Sequence, residues 1–326
     1  MRATDTVPLP RGGVRLTRLG MGCAPLGGLH HAVPERAARA AVNAAWQLGL
    51  RYFDTAPYYG FTLSERRLGA ALRERARDEY VISTKAGRLL KPDQPPPHIP
   101  HYDYSYAGIL RSHEDSLQRL GMDRVDLLLV HDIGSATHGA LHEHYWRQLT
   151  AGGGFRALDE LRGDGRVRAV GFGVNEWEVV YAAMQECELD CTLLAGRYTL
   201  LEQASLAPFL AACERAGNAI IIGGPFNSGV LAGNRKFNYG DAPEDVLSRV
   251  RAIAAVCREF GTPLPAAALQ FPMAHPAVVS CIPGAADVAQ LRQNAAWFEL
   301  PIPPELWRAL KRRGLLDERA VVDGEG

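Results

Sequence analysis

Three features predict a (β/α)8 TIM barrel with an N-terminal β-hairpin and long loops on its C-terminal face. Short apolar segments alternate with longer amphipathic ones, and no linker interrupts them. The chain has 326 residues, whereas such a barrel needs about 250. Residues 1–326 are therefore expected to form one barrel domain, with the surplus in loops and a tail.

The elements follow in order. VPLPRGGVRLTRLG reads as a hairpin turned at Gly12 and Gly13 that plugs one barrel end. Strands are expected at Gly20–Cys23, Tyr52–Asp54, Val81–Lys85, Val125–His131, Val167–Gly171, Cys191–Leu194, Ala219–Ile222 and Val278–Ile282. Helices are expected at Glu35–Leu48, Ser64–Arg77, Ser105–Leu120, Phe155–Arg162, Glu176–Glu186, Ser205–Arg215, Pro243–Phe260 and Val288–Trp297, with Ser64 and Ser205 as capping residues. A last helix at Pro303–Arg313 precedes a polar tail. Arg88–Tyr104 and Asp132–Gly154 read as long loops, which in a compact domain usually carry function.

Composition excludes several classes. Lys+Arg 36 balances Asp+Glu 36, so no global field attracts nucleic acid or an anionic membrane. No run approaches the roughly 20 apolar residues of a membrane span, and the first residues lack the apolar core of a secretion signal. Six scattered cysteines suit free thiols in a reducing cytoplasm, where the protein is expected to reside. His138, His142 and His144 share one segment, but no carboxylate or thiol completes a metal set, and no metal is expected. No GxSxG nucleophile occurs.

Position carries the chemistry. Asp54, Lys85 and His131 each end a predicted strand, in three consecutive βα units, and Tyr59 follows Asp54 by five residues. In a barrel those ends meet at one mouth. A carboxylate, an ammonium, an imidazole and a phenol converging there make a proton-transfer set: the lysine favours the phenolate, the aspartate orients the lysine, and the histidine places a substrate oxygen. Only four of the 36 basic residues are lysine, namely Lys85, Lys91, Lys236 and Lys311, so a lysine at this strand end is a specific choice. Tyr58 is the rival proton donor. Gly20-Met-Gly22 and Gly171-Phe-Gly173 are incomplete dinucleotide-binding patterns and read instead as glycines that let the chain turn at strand ends. Trp146, Trp177, Phe61 and Tyr104 are candidate pocket aromatics.

DTAPYYG at 54–60, STKAGR at 83–88, DLLLVHD at 126–132 and IPGA at 282–285 resemble the aldo-keto reductase superfamily over nearly the whole chain. The resemblance implies a (β/α)8 barrel that binds NAD(P)(H) in extended form and transfers hydride. Tyr59 is then the general acid/base, Lys85 and Asp54 tune it, and His131 places the substrate oxygen. It further implies a cofactor held by GGPFNSGVL at 223–231, with Gly224, Gly229 and Leu231, and by IPGAADVAQLRQN at 282–294, with Gly284, Ala285, Asp287, Gln290 and Asn294. Backbone donors at Gly284–Asp287 are expected to open a helix onto phosphate. Between Ile282 and Leu291 there is no Arg or Lys for a 2′-phosphate, and Asp287 suits ribose hydroxyls, so NAD is expected over NADP. A small shift of register brings Arg292 to the adenine ribose instead.

The family's Ser-Asn pair after the fifth strand is reduced here to Asn175, the one carried-over carboxamide ligand. Ala195 stands where a Gln precedes Tyr198 by three. These departures, with VHDIG, THG and LLAGRYTLLEQ, resemble a bacterial branch of NAD-dependent sugar dehydrogenases for L-fucose and D-threo-aldoses, a branch also similar to pyridoxal 4-dehydrogenase. The sequence is thus expected to encode an NAD-dependent enzyme that oxidises the C1 hydroxyl of a free aldose to the lactone. The alternatives are pyridoxal or a general aldehyde as substrate, and a nucleotide-sensing barrel with negligible turnover. Small-molecule substrates, not nucleic acid or membrane, are the expected partners. Specificity is expected in the Asp132–Gly154 segment and the tail.

Overall fold

The barrel strands are mostly apolar runs buried on both faces, as parallel strands covered inside and out must be. The computed structural model describes residues 1–28, 32–90 and 100–324. Its strands are β1 (Thr6–Pro8), β2 (Arg15–Thr17), β3 (Met21–Gly22), β4 (Tyr52–Asp54), β5 (Val81–Ala86), β6 (Arg88–Leu89), β7 (His101–Tyr102), β8 (Leu127–His131), β9 (Ala169–Val174), β10 (Cys191–Ala195), β11 (Ala219–Gly223), β12 (Lys236–Phe237), β13 (Gly240–Asp241) and β14 (Val278–Ile282). Eight of them run parallel in the order β3-β4-β5-β8-β9-β10-β11-β14. Bridges Leu19–Cys281 and Gly22–Gly284 close the circle. The fold is a (β/α)8 TIM barrel.

Its helices are α1 (Glu35–Gln47), α2 (Leu63–Leu72), α3 (Tyr106–Leu120), α4 (Ser135–His138), α5 (His142–Leu149), α6 (Gly154–Gly163), α7 (Trp177–Ala183), α8 (Phe209–Ala216), α9 (Glu244–Glu259), α10 (Leu264–Gln270), α11 (Val288–Glu299) and α12 (Pro304–Arg312). Strand alternation sorts the core into two layers. Leu127 and Leu129 of β8 face a cluster inside the barrel, while Leu128 and Val130 join the larger cluster under the helices. Leu9, Val14 and Leu16 of the β1–β2 hairpin complete the inner cluster, so the hairpin plugs the barrel floor.

Several expectations are corrected. The fifth barrel strand, β9, begins at Ala169 and ends at Val174, so Gly171 and Gly173 lie within it and not at a turn. None of Gly20, Gly22, Gly171 and Gly173 has a positive φ. They allow close approach instead: a Cβ on Gly173 would stand 2.8 Å from Lys85 Cε, and one on Gly171 would strike the Cys191 carbonyl. Ser64 and Ser205 cap nothing. The Ser64 hydroxyl donates to the Cys23 carbonyl at 2.8 Å, and that of Ser205 to the Arg197 carbonyl at 2.7 Å. The segment Asp132–Gly154 is largely helical, as α4 and α5, and α10 was not foreseen among its flanking prolines. The loop expected at Arg88–Tyr104 is tied at its ends by β6 and β7, while Lys91 and the rest of 91–99 lie outside the described residues. No helix among the described residues is long and apolar enough to cross a membrane.

His113 on α3 is buried, with Nε2 unpartnered and Nδ1 3.4 Å from Arg166 Nη2. Burial, then the Arg166 charge, pushes its pKa down to about 4, and burial does the same to His138. Unfolded, each imidazole takes up its proton near 6.5, so stability present at neutral pH is lost as pH falls from there toward 4. Urea midpoints are therefore expected to drop steadily between pH 7 and 4.5. His113→Gln should flatten that slope by up to one proton's worth, and an unchanged slope would show that His113 is not the coupled group.

Candidate active site

The barrel delivers its chemistry to one mouth because strands in register end together. Asp54 ends β4, Lys85 is next to last in β5, and His131 ends β8. Lys85 Nζ donates to both Asp54 oxygens, at 2.8 and 2.9 Å, and to the Thr55 carbonyl at 2.9 Å. The Ser83 hydroxyl donates to Asp54 Oδ1 at 2.6 Å and lies 2.9 Å from the Tyr52 hydroxyl. Both charged groups are buried, so the pair survives only because each partner is satisfied.

Tyr59 sits above this pair. Its position depends on a sharp turn in which Gly60, Phe61 and Thr62 all have positive φ, and a side chain on Gly60 would collide with the Gly27 backbone. Such strain is held only where the surroundings over-determine it. Lys85 Nζ lies 4.9 Å from the Tyr59 ring centroid, and the His131 ring packs edge-on at 6.1 Å. The expected lowering of the phenol pKa is not what the site does. Burial first, then Asp54, Tyr239 and Asp132, push Tyr59 well above its usual range, against the pull of Arg88. The ammonium of Lys85 is spent on Asp54 and the Thr55 carbonyl. The phenol is a proton donor at rest.

Burial, with Arg88 and Lys85 close by, holds His131 well below its usual pKa, so the imidazole is neutral. Its Nδ1 is buried without a partner, and Nε2 lies 3.6 Å from Asp132 Oδ2. Asp132, with a φ of 31°, accepts from Arg88 Nη2 at 2.6 Å and from the Asn175 backbone N–H at 3.2 Å.

Two adjoining cavities open here, of about 340 and 840 Å³. The smaller holds Tyr59, Lys85, His131, Arg88 and Asp132. The larger runs past Gly22, Gly224, Gly229, Gly284, Gln290 and Asn294. Tyr59, Asn175 and Tyr239 line both, and the Asn175 side-chain amide donates to the Ala195 carbonyl at 2.9 Å and the Tyr239 hydroxyl at 3.3 Å. A Cβ on Gly196 or Gly224 would meet nothing closer than 3.5 Å, so the wall is bare there and leaves room for a ligand. A long groove with amide side chains and exposed backbone fits a dinucleotide.

The other expected residues are placed elsewhere. Leu231 and Ala285 are buried in the core and line neither cavity, because an apolar side chain turns inward. Asp287 is the N-cap of α11: its Oδ1 accepts from the Gln290 backbone at 2.9 Å, while the Gln290 side chain accepts from Ala286 N–H at 2.9 Å. That exchange occupies the Ala286 N–H, one of the donors expected to face phosphate. Trp146, Trp177, Phe61 and Tyr104 are absent from both linings. Tyr104 donates to the His131 carbonyl at 2.8 Å from beneath. Of the Asp132–Gly154 segment only Asp132 reaches a cavity, and the described tail, anchored by Asp317 N–H on Gln203, reaches neither. The three clustered histidines point apart: His138 meets the Tyr104 hydroxyl at 2.9 Å, His142 the Ile133 carbonyl at 3.0 Å, and His144 Gln148 at 3.2 Å.

Tyr239, Arg88 and Asp132 were not singled out. Asn238-Tyr239 between β12 and β13 is a two-residue hairpin turn followed by Gly240, with both Asn238 and Tyr239 at positive φ. Nothing in a sequence shows such a turn overhanging a groove.

The model of the Aldo/keto reductase family matches residues 18–313, and the chain belongs to that family. It is an oxidoreductase of alcohol and aldehyde groups. A pyridoxal 4-dehydrogenase from Microbacterium luteolum is 45% identical over 97% of this chain and 99% of its own. A D-threo-aldose 1-dehydrogenase from a Pseudomonas species is 40% identical, covering 93% and 96%. Among solved structures, the holo form of an aldo-keto reductase from Bacillus halodurans superposes with a TM-score of 0.76 at 23% identity, covering 98% of this chain and 99% of that one.

Removing one partner of the buried pair leaves a bare charge. Lys85→Met is expected to lower unfolding free energy by about 3–5 kcal/mol in urea titrations. Adding Asp54→Asn should restore part of that loss, and strict additivity of the two changes would count against a coupled pair.

Proposed function

We propose that this enzyme oxidises the C1 hydroxyl of a free cyclic aldose, of the L-fucose or D-threo-aldose type, to the lactone, with NAD as the hydride acceptor. The observation that carries the reading is Tyr59 on the wall between the two cavities, beside the neutral His131. The larger groove holds the dinucleotide through Gly224, Gly229, Gly284, Gln290 and Asn294, with the Asn175 amide at the junction for the carboxamide. When bound, the nicotinamide supplies the hydride-accepting carbon. The chain's own residues do the rest: His131 Nε2 donates to the reacting oxygen, and Tyr59 Oη accepts its proton in oxidation or donates one in reduction. Lys85 and Asp54 act on Tyr59 through their field and their fixed geometry.

Preference for NAD over NADP is supported by charge. Asp287 and Arg292 lie outside the groove lining, and Lys236, which does line it, is paired with Asp241 at 2.6 Å. No uncommitted cation among the described lining residues awaits a 2′-phosphate. Six free cysteines suit a reducing cytoplasm.

A second reading, pyridoxal as substrate, is favoured by the relative at 45% identity. The two substrates share chemistry, since pyridoxal also closes to a cyclic hemiacetal whose oxidation gives a lactone. The deciding experiment follows reduced nicotinamide with NAD or NADP against L-fucose, D-arabinose, L-galactose, D-glucose and pyridoxal. Turnover of the threo sugars with NAD is expected, and turnover of pyridoxal alone overturns the aldose reading.

Tyr59→Phe should cut turnover by about 10²–10⁴-fold while nucleotide binding, read by fluorescence, is retained. Because burial raises the phenol pKa, proton acceptance becomes easier as hydroxide rises. Oxidation by the wild type is therefore expected to quicken steadily from about pH 7 to 10, whereas reduction should stay level or slow. An oxidation optimum below neutrality would contradict Tyr59 as the base.

A further inference from the structure

Arg88 brings to the smaller cavity a cation that proton transfer does not use. It stands just beyond β5, three residues from Lys85, and is 8% exposed. Its guanidinium lies between aromatic faces, 4.9 Å from the Tyr58 ring centroid and 5.9 Å from that of Tyr102. Nη2 donates to Asp132 Oδ2 at 2.6 Å, the Tyr104 hydroxyl lies alongside, and the buried Nε has no partner. An arginine carries five N–H groups in a rigid fork, so this one has donors to spare. Lys85, the other cation among the described lining residues, has its ammonium committed to Asp54 and Thr55. An unpaired buried donor calls for an explanation, and a ligand oxygen supplies one.

The geometry sets what that oxygen is. Asp132 Oδ2 lies 2.6 Å from Arg88 Nη2 and 3.6 Å from His131 Nε2. The two nitrogens are therefore no more than ~6 Å apart, a gap that two neighbouring substrate oxygens bridge with ordinary hydrogen bonds of about 3 Å. We propose that Arg88 is the specificity-determining residue of this site. Its guanidinium donates to a second substrate oxygen held about 3 Å from the one that His131 and Tyr59 bind. The 2-hydroxyl of an aldose fills that place, as does the 3-hydroxyl of pyridoxal. Substrates lacking the second oxygen leave the guanidinium unsatisfied and are rejected. Asp132 and the two tyrosine rings hold the fork in position.

This inference rests on the proposed substrate class, and matched substrate pairs separate the two. For the wild type and Arg88→Met, kcat/KM is measured on an aldose and its 2-deoxy analogue. In parallel, reduction of 2-hydroxybenzaldehyde is compared with that of benzaldehyde, and nucleotide affinity is titrated throughout. The wild type should prefer the oxygen-bearing member of each pair. In Arg88→Met that preference should collapse because the oxygen-bearing member loses about 10- to 100-fold more than its partner, mostly in KM, with nucleotide affinity unchanged. Equal losses on both members, or a preference that persists, overturn the proposal. If no aldose is turned over by the wild type, the aldose reading fails, and the benzaldehyde pair decides the role of Arg88. If Arg88→Met does not bind nucleotide, Arg88→Lys replaces it. That variant keeps the charge but not the fork, and it must still lose preference without losing turnover of the deoxy member.

Discussion

The mouth of this barrel is organised around one buried ion pair. Asp54 and Lys85 lie at the C-terminal ends of neighbouring strands that pair in parallel, Asp54 last in its strand and Lys85 next to last, and the lysine stem passes over Gly173, where any Cβ would block it. Burying two charges is unfavourable unless every lone pair and proton finds a partner. Here Ser83, Thr55 and the pair itself provide them. The result is a fixed field beneath Tyr59 that requires no rearrangement during the reaction.

Charge balance governs the rest of the site in the same way. Asp132 sits at a strained φ because three groups converge on it: the Arg88 guanidinium, the Asn175 backbone N–H and, further off, His131. The smaller cavity is thus lined by the Arg88–Asp132 pair, by Lys85, whose partner Asp54 lines the larger cavity, and by a neutral imidazole. Such a lining suits a neutral ligand rich in oxygen. The strain at Gly60–Thr62 and at Asp132 falls on either side of the reacting centre, where the surroundings must hold side chains more tightly than local propensity does.

Much of this was legible in the residues alone. Apolar runs buried on both faces are parallel strands, and their count and spacing led to the barrel. Asp54, Lys85 and His131 fall at or within one residue of the observed strand ends, which is close enough for all three to be assigned to one mouth. The motif around Tyr59 carried the family resemblance, and the family model spans residues 18–313.

What the sequence could not determine depends on contacts between distant segments. Whether Asp287 faces a ligand or caps its own helix is decided by the geometry of one turn, in which Asp287 accepts from the Gln290 backbone while the Gln290 side chain accepts from the Ala286 N–H. Whether Leu231 lines a groove or fills the core depends on its facing neighbours. Arg88, Asp132 and Tyr239 come from three separate connections and meet only because the barrel closes. Composition and periodicity determine which segments are strands and, to within a few residues, where they end, since both signals are local. Only the closed tertiary structure decides which side chains share a cavity, because burial, desolvation and pairing are properties of neighbours in space.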